Sequence, residues 1–372
     1  QTVPNAVLDA LAAELDLQRS PGRLDSVSQQ TGGTASLDWS LVNVARRRAI
    51  EGATLNRGAQ DHAVSSAQRE ALGAATALYM RALAATQLVA DAELTRERRT
   101  QQHEGIAGLV KAGLRPSVDE TRARIEAVAA TYRLEVRKVE ERALFAALAV
   151  SVGRDPTRPL RPLALSSNVF DAAPRSLEEA TAKAFEHRPE LKSLRSSLLA
   201  RQAELSSALW RRAPTVGIAG SASASYIDQL SGTAGYQGSQ YSTVAQLYLR
   251  VQTFDAAVWR SAGVARANML QTQRALEATT LDIKAEVAEA SFAEERTRAE
   301  LERATQVLSA AEAAREAQNG RYRTGVSSLL ELLDAENVEQ NARLDRITAE
   351  RDHQLARVRL LAATGLIRSL AR

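Results

Sequence analysis

A duplicated α+β chain, in which a pair of strands opens into a long helical hairpin and the whole unit then recurs, is the fold class this sequence predicts. Three observations predict it. The turn Lys111-Ala112-Gly113-Leu114-Arg115-Pro116-Ser117-Val118-Asp119 has a copy around Gly325, at an offset of 325 − 113 = 212 residues. The same offset carries Leu37 onto Leu249, Arg48 onto Arg260, Asn56 onto Asn268, Asp119 onto Glu331 and Gly153 onto Gly365 without a gap. Identity between the copies is sparse, so the repeat concerns architecture more than chemistry. Alanines at 335, 342, 349, 356 and 363 recur every seventh residue, which a helix keeps on one face only by supercoiling left-handedly against a close neighbour. Finally, residues 241–254 alternate, with Val244, Gln246, Tyr248 and Arg250 on one face and Ala245, Leu247, Leu249 and Val251 on the other.

In chain order, the first repeat is expected over 1–153. Residues 4–17 fit a short helix or a strand by periodicity alone, and the repeat decides for a strand, because Pro4 corresponds roughly to Pro214. Residues 19–33 are read as a loop and 34–42 as the returning strand, giving a strand pair within 4–42. A long helix follows over 43–112, then a tip at 113–115 and a return helix over 116–152. Gly113 and Gly325 suit the left-handed residue that ends a helix, and Ser327 or Ser328 can cap the helix that follows the second tip. Residues 154–175, rich in proline, read as a non-helical linker.

The second repeat, 176–365, begins with a helix over 177–212 that Pro189 breaks near its start. A strand pair is expected within 214–254: a small-residue strand over 215–226, a Gly, Ser and Gln-rich loop over 228–240, and the alternating strand after it. A long helix over 256–324, a tip at 325–327, a return helix over 328–364 and a tail over 366–372 complete the chain. Each long helix is near 70 residues, about 100 Å at 1.5 Å per residue. The first repeat has no counterpart of helix 177–212; the expectation is that such a helix and a signal peptide were removed upstream of Gln1, the alternative being a naturally shortened chain. Trp39, Tyr226, Tyr248 and Trp259 fit either an interfacial aromatic band or ordinary packing at the base of a barrel.

Composition narrows the function classes. Only 4% aromatic residues is thin for thick globular cores, and long helices fit better. The formal charge of +4 is carried by arginines scattered among glutamates, with no basic cluster interleaved with aromatics, so nucleic acid is not an expected partner. The absence of cysteine removes disulfides and soft metal sites. No run of eighteen apolar residues exists, which excludes a transmembrane helix but not a transmembrane barrel. His62, His103, His187 and His353 stand alone on expected helices, and no nucleophile, phosphate or dinucleotide motif is present. Neither catalytic residues, nor a metal site, nor a cofactor is expected.

The run Arg321-Tyr322-x-x-Gly325-x-x-Ser328-x-Leu330-Glu331-Leu332-Leu333-Asp334-Ala335, with its degenerate earlier copy and the duplicated layout, resembles the TolC-like outer-membrane factors. These are exit ducts of Gram-negative efflux pumps and type I secretion systems, and the resemblance covers nearly all of the chain. Four strands per chain cannot close a barrel in lipid, because unpaired edges would face hydrocarbon. The resemblance implies three chains, hence a homotrimeric 12-stranded β-barrel continuing into a long α-helical coiled-coil periplasmic tunnel. It also implies an outer-membrane and periplasmic location, a periplasmic adaptor protein as partner, and an inner-membrane transporter of the RND, ABC or MFS type.

Glu331 and Asp334, at i and i+3, share a helix face just past the second turn, and rings of carboxylate select cations. The resemblance implies an acidic aperture at the periplasmic end; acids near a helix N-terminus are also favoured by the helix dipole alone. Tyr322 and Asp119 match the family's tyrosine-to-aspartate link that holds this end shut. Ser327 stands where the family has an arginine and Val118 where it has a threonine, so the latch is expected to be weaker or to use Arg115. Tyr322 packing against its own hairpin is the simpler alternative. The tips Gly113, Leu114, Arg115 and Gly325, Val326, Ser327 are the expected adaptor-docking surface. A rival reading is a soluble periplasmic coiled-coil interaction protein such as an adaptor hairpin.

Overall fold

The computed structural model describes residues 26–158, 174, 176–231, 234–252 and 255–367. The elements are β1 (Ser26–Val42), α1 (Val44–Lys111), α2 (Ser117–Ser151), α3 (Leu177–His187), α4 (Pro189–Trp210), β2 (Thr215–Ser231), β3 (Ala234–Arg250), α5 (Ala256–Arg323) and α6 (Leu329–Ala363). The offset of 212 returns here as geometry: α1 and α5 are each 68 residues long, and α2 and α6 are each 35. Two compact units divide the chain, residues 1–56 with 198–271 and residues 57–197 with 272–372.

The first unit holds a three-stranded antiparallel sheet in the order β1-β2-β3. Directly opposed residues share a face, and Trp39 opposes Ile218, which opposes Leu247. Leu37 and Leu249 lie on that same face, and all five side chains are exposed. A bulge between Ser40 and Val42 lets Val42 join them opposite Val216. The other face is polar. The Tyr248 hydroxyl donates to Asp38 Oδ1 at 2.9 Å, and its ring crosses Gly217, where a Cβ would come within 2.5 Å of it. The Trp39 carbonyl oxygen would lie 2.9 Å from the same Cβ, so the neighbouring backbone as well as the ring favours glycine at 217. Among the described residues, the outer edges of β1 and β3 have no partner strand.

Two loop expectations are corrected. Of the loop placed at 19–33, residues 26–33 are strand; of that placed at 228–240, residues 228–231 and 234–240 are strand. Gly, Ser and Gln lower intrinsic strand propensity, but here the backbone ladder pairs regardless, from Ser26 with Ser231 and from Ser231 with Ala234. The strand expected within 4–17, most of the linker 154–175 and most of the tail 366–372 lie outside the described residues.

The second unit is helical. Each long helix and each return helix ends with the same hydrogen-bond pattern: Gly113 N to Val110 O with Leu114 N to Leu109 O, then again at Gly153, Gly325 and Gly365. All four glycines have positive φ, between 71° and 78°, as this helix stop requires. Ser328 caps α6 by accepting from Glu331 N at 3.3 Å, whereas Pro116 in the equivalent place offers no side-chain cap. The heptad alanines face inward: Ala342, Ala356 and Ala363 are buried and Ala335 and Ala349 half-buried.

α3 and α4 part at Arg188, the residue before Pro189. Arg188 is buried, donates through Nε to Ala363 O at 2.7 Å and pairs with Glu286; Arg69 donates to Ala362 O at 2.7 Å and pairs with Glu190. Two guanidinium groups therefore satisfy the last carbonyls of α6, where the helix dipole favours positive charge. Apolar contacts complete the site, with Leu191, Ile283, Val287 and Leu360 among the cluster.

His353 lies beside Thr297, its Nδ1 3.5 Å from the hydroxyl. Burial lowers its pKa below 6.5, aided by Arg357 and Arg298 and opposed by Glu294. The folded state thus prefers the neutral ring, and this preference contributes stability above pH 6.5 that is lost as the pH falls below it. His353→Gln is expected to flatten the stability profile between about pH 6.5 and 5, as read by denaturant midpoints.

Candidate functional site

Both tips lie at one end of the helical unit. Ile106 of α1, Ala123 of α2 and Leu329 and Leu333 of α6 form one buried cluster, with Val110 and Tyr322 packed on it. Outside this cluster the tips present apolar side chains: Leu114 and Val326 are each 70% exposed, and Val118 and Leu330 are exposed beside them. A Cβ added at Gly113 or Gly325 would meet no heavy atom within 4 Å, so the tips are spatially open and constrained only by backbone conformation.

The structure brings Tyr322 and Arg115 together: the guanidinium lies 4.6 Å from the ring centroid. The Tyr322 hydroxyl is buried without a hydrogen-bond partner, so no bond joins it to Asp119 here. Asp119 is buried in the first turn of α2 and makes no ion pair among the described residues.

Glu331 is exposed but held in place. Ser327 Oγ donates to its Oε2 at 2.8 Å and Gln318 Nε2 donates to the same oxygen at 2.9 Å. These two bonds, Ser327 first, lower its pKa and keep it ionised. Ser327 is buried and so acts as a support for the carboxylate rather than as an exposed tip residue. Asp334, one turn on, is exposed and makes no ion pair among the described residues.

A set of residues that sequence reasoning missed ties α1 to α6. Arg99, 5% exposed, pairs with Glu336 and donates to Asn337 Oδ1 at 2.9 Å. Gln102 donates to Glu336, Arg343 reaches Asp91 at 3.3 Å, and Glu339 accepts Arg343. Burial pushes the Asp91 carboxyl above its ordinary range, against the pull of Arg343. Arginine and glutamate occur throughout these helices, and partners 237 residues apart leave no local signal. The repeat offset gives no help either, because the network joins the two repeats without being duplicated.

Among the described residues, no group of three or more His, Cys, Asp or Glu could hold a metal ion, and no helix is long and apolar enough to cross a membrane.

The family model described as outer membrane efflux protein matches residues 181–366, half of the chain. A search of the curated proteins found no match. Among solved structures, a membrane protein from Pseudomonas aeruginosa is 22% identical, with TM-score 0.73, over 97% of this chain and 88% of that one. The outer membrane protein VceC from Vibrio cholerae is 15% identical, with TM-score 0.70, over 97% and 90%. The open state of the Neisseria gonorrhoeae MtrE outer membrane channel is 17% identical, with TM-score 0.68, over 97% and 86%. The chain shares the fold of these proteins, mostly helical with a small sheet.

Proposed function

Because this chain belongs to the outer membrane efflux protein family, we propose that it is the exit duct of a tripartite efflux pump or type I secretion system, passing substrates passively across the periplasm and outer membrane. The observation that carries this reading is the exposed apolar sheet face of Leu37, Trp39, Ile218, Leu247 and Leu249, with unpaired edges beside it among the described residues. Lipid covers such a face, and further strands satisfy such edges. Three chains of four strands close a twelve-stranded barrel, and the long helices of the three form the periplasmic tunnel. A soluble adaptor hairpin has no use for this sheet.

In this reading Glu331 and Asp334 appear three times around the axis and form a cation-selective aperture, with Ser327 and Gln318 keeping Glu331 charged. Arg115 on Tyr322 supports a latch at the tips, which the Asp119 carboxylate joins in a closed state by accepting from the Tyr322 hydroxyl left without a partner here. The exposed Leu114 and Val326 support docking of a periplasmic adaptor, which connects the duct to an inner-membrane transporter of the RND, ABC or MFS type.

The test is Gly325→Glu. This substitution places a charge on the docking surface and strains a residue at φ 76°. Export by cells that depend on this duct is expected to fall at least about tenfold, the effect of ~1.4 kcal/mol of lost docking, while trimers and barrel insertion persist. Unchanged export would remove the second tip from the docking surface.

A further inference from the structure

We propose that a cleft between α1, α5 and α6 binds a small polyanion carrying two or more phosphate or carboxylate groups. The cleft has a volume of about 580 Å³, within the size range of small-molecule sites. Five arginines line it, Arg98 and Arg99 from α1, Arg315 and Arg323 from α5 and Arg343 from α6, against two carboxylates, Glu336 and Glu339.

The charges within it do not balance. Arg99 occupies Glu336. Glu339, 6% exposed, is shared by three guanidinium groups: Arg343, Arg315 at 2.9 Å and Arg98 at 3.7 Å. Two carboxylates outside the lining take part of this load, Asp91 on Arg343 at 3.3 Å and the exposed Glu316 on Arg315 at 3.2 Å. Arg98 is left with one long contact to a carboxylate already in use, and Arg323 makes no ion pair among the described residues.

Two further donors of the lining residues lack acceptors. The Tyr322 hydroxyl is buried without a partner, and the Arg315 Nε–H, although 2.9 Å from Glu339, is not aligned as a hydrogen bond. A burial cost attaches to each such group until an acceptor arrives. Guanidinium groups match phosphate and carboxylate geometry in bidentate fashion, and several oxyanion groups on one molecule reach arginines on different helices at once. A halide has neither property. A ligand held this way bridges α1 to α5 and α6, adding to the ties that Arg99 and Arg343 already make.

The purified full chain in detergent tests this by calorimetric titration with pyrophosphate and, separately, with citrate, at an ionic strength held constant with sodium chloride. One saturable site per chain is expected, and the tighter probe identifies the headgroup chemistry. Arg98→Ala with Arg323→Ala should weaken binding at least about tenfold. Both arginines are exposed, so helical content by circular dichroism is expected to match the parent. Tyr322→Phe should weaken binding about threefold. Arg81→Ala with Arg359→Ala, which line a separate groove, should leave it unchanged. The proposal is overturned by the absence of saturable binding of either anion at millimolar concentration. It is equally overturned if the Arg98 and Arg323 variant binds like the parent, or if the Arg81 and Arg359 variant loses binding to the same degree. None of these readouts depends on the chain acting as a duct.

Discussion

Leu247→Arg combined with Leu249→Arg is expected to abolish membrane insertion. These side chains are 73% and 66% exposed on the apolar face of β3, and the sheet offers nothing of its own to cover them. Arginine on the lipid face of a barrel costs about 2–4 kcal/mol per residue near the midplane and less toward the interfaces, so two together approach the stability of the inserted state. Gln246→Arg, on the opposite face beside Asp38 and Tyr248, should be tolerated. Fractionation after alkaline extraction reads the difference. If the double variant stays with the membrane as the parent does, lipid does not cover that face.

Arg99→Ala carries the second large effect. It removes a buried guanidinium, leaving Asn337 Oδ1 without its donor and Glu336 with only the Gln102 amide. Breaking one side of a fully buried pair costs about 3–5 kcal/mol, and because the Glu336 side chain is 25% exposed and keeps Gln102, about 1–3 kcal/mol is expected here. The loss falls on the tie between α1 and α6, so the helices should part more readily near the tips. A lower denaturation midpoint and a higher mean single-channel conductance are expected. Glu336→Gln, which keeps a polar partner for Arg99, should show a smaller shift of the same sign. Equal midpoints and conductance in Arg99→Ala and the parent would assign the tie no role in holding these helices.

The repeat was legible because its markers are backbone requirements. A helix stop at positive φ needs Gly113, Gly153, Gly325 or Gly365, and the break at Arg188 needs Pro189, so these residues mark element ends wherever they fall. The alanine heptad was legible for a similar reason: close helix packing admits little else. Strand length was not. Gly, Ser and Gln around 228–240 resemble a loop locally, and only pairing across the β2–β3 hairpin, with β1 along the outer side of β2, makes them a ladder. Of the tip, Tyr322 stood out through the motif shared with the TolC-like family, Arg115 as the replacement for the arginine that motif lacks here, and Glu331 through its place just past the turn. Ser327 as the support of Glu331 was not, because a serine after a turn glycine reads as a cap. The Arg99 and Glu336 tie had no local signal at all. It depends on how α1 packs on α6, which charge pattern along either helix does not reveal.

The proposed duct requires a barrel completed by three copies of this chain. Reconstitution of the detergent-extracted protein into planar bilayers tests it most directly, with its mass measured by light scattering before insertion. A trimer that needs detergent to remain in solution and that conducts in discrete steps is the predicted result. A monomer that stays soluble without detergent and never conducts would contradict it.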